Sequence, residues 1–238
     1  MSNYDHKYEY KNMYFGPYIY HCKLDPQFCK DLLEQGEKTT DRFMQIDGTY
    51  TNQIIKDSLA GDLATGNERQ FNGEQQRWFK KSLHDVFNHY TQERMNFHNY
   101  TFVPDYVIEN VWINYQHANE YQPEHTHSGD FSWVIYLQIP EGMKAERENY
   151  KKKGPGPGCI AFSYGETSGN PDVTFPWVTN IHMAVPEVGE MYIFPSQLKH
   201  SVPPFKCDGV RISMSGNGVF QRPDSKLYHM GEKRYEIA

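Results

Sequence analysis

Two histidines one residue apart, His125 and His127, stand in the segment EHTHSGD, just ahead of the most hydrophobic run of the chain. In extended backbone, residues i and i+2 project to the same side, so these imidazoles point together. Asp130 follows after a Ser-Gly turn. A His/carboxylate cluster at a strand end is a donor set for a divalent transition metal. Seventy-five residues after His125, His200 lies in a loop behind the run EMYIFP. Eleven residues further on, Arg211 opens the run RISMS, in which Arg211 and Ser213 share a face. A guanidinium is a rigid fork of donors that matches a carboxylate two-on-two, and a neighbouring hydroxyl adds a third donor. The late segment thus combines a metal-binding imidazole with an anchor for a dicarboxylate. The other eight of the eleven histidines are scattered and read as surface or core imidazoles.

Many short strands must position these groups. From about residue 100 the chain shows β-branched and aromatic runs parted by turn residues: YTFVP, YVIENVWINYQ, FSWVIYLQIP, CIAFSYG, VTFPWV, EMYIFP and VRISMSGNGVF. This pattern predicts a sandwich or barrel of jelly-roll type. Residues 141–158 interrupt it with charges and Gly-Pro repeats and read as an exposed insertion. Ahead of the strands, the first twenty residues are Tyr-rich and alternating, as in an edge strand or extended arm. Asp25 and Pro26 open a helix whose stripe is Phe28, Leu32 and Leu33, with Gly36 as its stop. Residues 40–73 are polar and irregular, a surface excursion or a lid. A second helix is predicted over Glu74–Arg94, with Phe79, Leu83, Val86, Phe87 and Tyr90 on one face. The fold expectation is mainly β with N-terminal helices. Residues 1–99 are a helical support and irregular segment, and residues 100–238 a jelly-roll core, within one structural domain.

Composition excludes other classes. The chain has 238 residues and a formal charge of −6. The mean hydropathy of −0.79 is low, but 18 Tyr, 14 Phe and 4 Trp supply large apolar rings, and such a chain is not disordered. No run of apolar residues is long enough to span a membrane. The N-terminus has no apolar signal region, and the expected location is cytoplasmic. The acidic balance argues against nucleic acid as a partner. The four cysteines show no CxxC spacing and read as reduced thiols.

The order of these motifs resembles the iron(II)/2-oxoglutarate-dependent dioxygenase superfamily, in particular its prolyl-4-hydroxylase-like branch and the oxygenases of phages and marine bacteria. The likeness covers about residues 100–220. It rests on Trp112-Ile113-Asn114, His125-Thr126-His127, Ser132, Tyr136-Leu137 and Phe194-Pro195-Ser196 with His200, Val202 and Pro204. The resemblance implies a double-stranded β-helix core, and its phage members make phage encoding one expectation. It implies iron(II), 2-oxoglutarate as cosubstrate and O₂. The implied reaction hydroxylates a C–H bond of a peptide residue or small molecule and releases succinate and CO₂. His125 and His200 match the family's iron ligands. Its middle ligand is a carboxylate two residues after the first His, where this chain has His127. Strand periodicity favours His127; charge favours Asp130, brought back by the turn, and both stay open. Arg211 with Ser213 matches the cosubstrate anchor, and Tyr136 and Tyr115 match positions that contact the cosubstrate, with Asn114 as the alternative to Tyr115. Two rival readings are a cupin-like metal protein without 2-oxoglutarate and a non-catalytic jelly-roll binding module.

Overall fold

The computed structural model describes residues 16–39, 68–151, 154–165 and 181–221. Its frame is two antiparallel sheets. The larger has six strands in the order β1-β8-β5-β10-β3-β2 and the smaller has four, β4-β9-β6-β7. In chain order these are β1 Tyr20–Lys23, β2 Glu68–Gln70, β3 Tyr106–Gln116, β4 Gln122–His125 and β5 Phe131–Gln138. They continue with β6 Ile160–Ser163, β7 Ile181–Ala184, β8 Glu190–Pro195, β9 Lys199–Val202 and β10 Arg211–Phe220. The last strand, β10, lies between β3 and β5. Two antiparallel sheets facing each other, with the chain crossing between them, form the expected jelly roll.

The outer face of the large sheet carries the helices. Helix α1 spans Pro26–Glu37, and the Asp25 side chain accepts from the backbone N–H groups of Gln27 and Phe28. Where one helix is predicted over 74–94, two form: α2 Gly73–Ser82 and α3 His84–Phe97. Leu83, at φ −107° and ψ 15°, breaks the continuity. The break lets Phe79 and Phe87 both reach the Trp133 ring on β5, at 5.7 and 5.0 Å between centroids. The predicted face holds: Phe79, Leu83, Phe87 and Tyr90 are buried with Val111, Ile113, Phe131 and Trp133 in the main core.

The strand reading is right for β3, β5, β6, β8 and β10, and misses the short strands β2 (ERQ), β4 (QPEH), β7 (IHMA) and β9 (KHSV). YTFVP forms no strand beyond a single bridge at Tyr100. VTFPWV, residues 1–15 of the N-terminal arm and residues 40–67 of the excursion lie outside the described residues. Within the 141–158 insertion, α4 (Met143–Glu148) forms, and Glu146 accepts from the backbone N–H groups of Lys206 and Cys207. Among the described residues no helix is long and apolar enough to cross a membrane.

Candidate metal centre

The inner faces of the sheets enclose a cavity of about 280 Å³. His125 closes β4 and pairs in register with His200 on β9. His127 follows beyond the strand end, and the nitrogen donors of His125, His127 and His200 all lie within 4.8 Å of one another. Strand pairing places one imidazole of the close pair beside the distal one, and the i,i+2 rule brings the other to the same side. Each ring is oriented from behind. His125 Nδ1 lies 2.7 Å from the Pro123 carbonyl and His200 Nδ1 2.9 Å from that of Leu198. A carbonyl only accepts, so both Nδ1 atoms carry the proton and both Nε2 lone pairs face the cluster, where His200 Nε2 lies 3.2 Å from His127 Nε2. Around His127 two loops are clamped together. Its backbone N–H donates to the Ser196 carbonyl at 2.8 Å, the Gln197 side chain donates to its carbonyl at 3.1 Å, and the Ser196 hydroxyl donates to the Gly129 carbonyl.

Burial keeps the rings uncharged. It lowers the His200 imidazole to about 3 and the His127 imidazole to about 4, in each case reinforced by His125. It lowers His125 as well, against the pull of the Pro123 carbonyl. Neutral imidazole is the metal-binding form. Three nitrogen donors on one side of an open cavity suit a first-row divalent ion such as iron(II).

Asp130 is not part of this group. Gly129, at φ +88°, swings the chain back onto β10. There the Asp130 carboxylate accepts from the Phe220 backbone N–H at 2.8 Å, while its own N–H donates to the Gly218 carbonyl. The turn delivers the carboxylate to the sheet edge.

Arg211 is 1% exposed and lines the same cavity. Its Nη1 donates to the Gln116 side chain at 3.0 Å and lies 3.4 Å from Ser213 Oγ, while its Nε has no partner. No carboxylate among the described residues forms an ion pair with it. Tyr136 lies on the neighbouring strand, with its ring centroid 5.0 Å from the guanidinium carbon and its buried hydroxyl without an aligned hydrogen bond. Burial, opposed by Arg211, pushes that hydroxyl up to about 12, so it stays protonated as a donor. An unpaired buried guanidinium is strongly unfavourable unless an anion completes it. The surrounding donors therefore fit the distal carboxylate of a dicarboxylate such as 2-oxoglutarate.

Tyr115 is on the other face. Along β3, Asn110, Trp112 and Asn114 line the cavity, whereas Val111 and Ile113 join the helical core with Tyr115 packed against them. Strand alternation thus turns Tyr115 outward, with the Arg69 guanidinium 4.6 Å from its ring centroid. The inward neighbours are Asn114 and Gln116, and Asn114 Oδ1 is buried without a partner. Gln116 and Asn110 were missed from the sequence, although they share the parity of Trp112 and Asn114.

Residues 110–217 match the family described as 2OG-Fe(II) oxygenase. No curated protein matches the chain in sequence. Among solved structures, it is similar to a Pseudomonas putida prolyl-4-hydroxylase at 14% identity, covering 87% of this chain and 93% of that one, with a TM-score of 0.48. It is also similar to the non-heme alpha ketoglutarate dependent epimerase SnoN from nogalamycin biosynthesis, at 12% identity over 92% of this chain and 89% of that one, TM-score 0.47. A Trichoplax adhaerens prolyl hydroxylase, in complex with a hypoxia inducible factor peptide fragment, is 11% identical over 92% of this chain and 88% of that one, TM-score 0.46. The family match runs from β3 to β10, the strands that enclose the cavity, and covers 108 of the 238 residues.

Proposed function

We propose that His125, His127 and His200 hold the iron(II), that Arg211 with Ser213 and Tyr136 holds the distal carboxylate of 2-oxoglutarate, and that the enzyme hydroxylates a C–H bond of a peptide residue or small molecule. The observation that carries this reading is a buried, unpaired guanidinium in the same 280 Å³ cavity as the histidine cluster. When bound, iron(II) and 2-oxoglutarate supply O₂ activation, with release of succinate and CO₂. The chain's own residues orient and shield. The Pro123 and Leu198 carbonyls fix the imidazole tautomers. Gln116 holds the Arg211 fork in place. Val134, Ile160, Phe194 and Val202 add apolar surface to the cavity wall. The closer kinship to prolyl-4-hydroxylase-like enzymes and to oxygenases of phages and marine bacteria belongs to this proposal.

A cupin-like metal protein or a structural zinc module has no use for Arg211. The test is to incubate anaerobically purified protein with iron(II), ascorbate and 2-oxoglutarate, then admit O₂. Succinate is expected, together with a rise in melting temperature on adding 2-oxoglutarate. Neither succinate nor thermal protection would overturn the reading.

A further inference from the structure

The cavity floor is built of register pairs between β10 and β3: Arg211 with Gln116, Ser213 with Asn114, Ser215 with Trp112, and Asn217 with Asn110. The Arg211 end fits the cosubstrate. Three pairs away, the Asn217–Asn110 end also lines the cavity. Its hydrogen bonds leave it with a definite polarity. The Asn217 backbone N–H donates to Asn110 Oδ1 at 3.1 Å, which fixes the orientation of that amide, since a backbone N–H needs an acceptor. Asn217 Oδ1 accepts from the buried Ser132 hydroxyl at 2.8 Å. Both side-chain carbonyls are therefore used inside the protein, and the two amide NH₂ groups are what remains.

We infer that this end of the cavity binds an uncharged substrate group through a carbonyl oxygen that accepts from the Asn110 and Asn217 NH₂ donors. Arg211 is the cavity's only lining cation among the described residues and sits at the opposite end, so a second carboxylate finds no counter-charge here. An ammonium group at this end would face N–H donors, since the lining carboxylate, Glu68, pairs with Asn114 rather than with Asn110. An alkyl chain would leave both donors desolvated and unpaired. The volume of about 280 Å³ is small for a ligand pocket and suits the cosubstrate plus one compact group.

This inference rests on the dioxygenase reading for the identity of the site, and its test separates the two. Saturation-transfer NMR would be run on protein loaded with zinc and 2-oxoglutarate under nitrogen, with three probes: N-acetyl-L-alaninamide, N-acetyl-L-lysine methylamide and 1-hexanol. The alaninamide is expected to show contact and the other two at least tenfold weaker binding. Asn110→Asp keeps the acceptor for the Asn217 N–H and replaces only the free donor. It is expected to weaken the alaninamide at least tenfold and to improve the lysine probe. Equal binding of the lysine or hexanol probe to the unsubstituted protein would overturn the inference. So would unchanged alaninamide binding by a variant that still unfolds cooperatively. Succinate formation is measured separately without a probe. Its absence together with the absence of thermal protection by 2-oxoglutarate would sink the dioxygenase reading, while the probe ranking still decides the polarity of this end.

Discussion

Arg211 is held in a state that its own fold does not satisfy, and this yields a two-sided prediction. Replacing it with Met removes a buried, unpaired charge, so the metal-free protein should be no less stable. A gain of about 1–3 kcal/mol is expected, read from urea unfolding. The same variant should lose 2-oxoglutarate affinity by roughly 100-fold or more while still binding one metal ion, because a charge-assisted bidentate anchor is gone. A loss of stability with affinity retained would assign Arg211 to the core instead. The two carboxylate questions separate equally well. Asp130→Asn should leave metal stoichiometry untouched and cost about 1–2 kcal/mol, since the Phe220 N–H loses a charged acceptor. His200→Ala should abolish stoichiometric metal binding, as followed by equilibrium dialysis. At this scale the sequence is readable where residue type alone determines the chemistry: His125, His127, His200 and Arg211 come together as their types suggest. It is not readable where a backbone dihedral decides, as at Gly129, which turns Asp130 away.

The elements explain the remaining departures. Period-two alternation in β3 was available in the sequence, and applying it to Trp112 and Asn114 places Tyr115 on the helical face. By contrast, β4, β7 and β9 are four-residue strands without β-branched runs, and only their partners across the small sheet define them. The break at Leu83 has neither Gly nor Pro to announce it; packing of Phe79 and Phe87 on Trp133 selects it. That packing also leaves a mark on β10. A methyl group at Gly216 would sit 2.1 Å from Trp133 Cζ2 and 2.4 Å from the Asn110 carbonyl oxygen. The Gly216→Ala variant should therefore lose about 2–4 kcal/mol or fail to fold, checked by soluble yield and thermal unfolding. Because the clash involves backbone at Asn110, the Trp133→Phe substitution should relieve it only in part.

For the molecule as a whole, the buried imidazoles couple stability to pH. His200 and His127 titrate at about 3 and about 4 in the folded state, against an ordinary 6.5. Below that ordinary value the unfolded chain binds protons that the folded protein excludes, so stability falls with pH. The loss starts near pH 6.5 and runs down to about pH 4 for His127 and about pH 3 for His200. The melting temperature of the metal-free protein should accordingly drop between pH 7.5 and pH 5, and His127→Gln should flatten that slope. With metal bound the drop should be steeper, because protons also compete for the ligand atoms.

The position of β10 has a consequence for biosynthesis. It is the last strand in the described chain, yet it sits between β3 and β5 and carries Arg211, Ser213, Ser215 and Asn217. Until it leaves the ribosome, β3 and β5 lack the neighbour that joins them, and their inner and outer faces have no complete sheet to pack in. Pairing between segments so far apart in sequence is slow. A nascent chain ending before residue 211 contains all three histidines but neither Arg211 nor Ser213. The proposed iron ligands are thus translated before the proposed cosubstrate anchor, and the cavity that holds both is complete only once β10 has paired with β3 and β5.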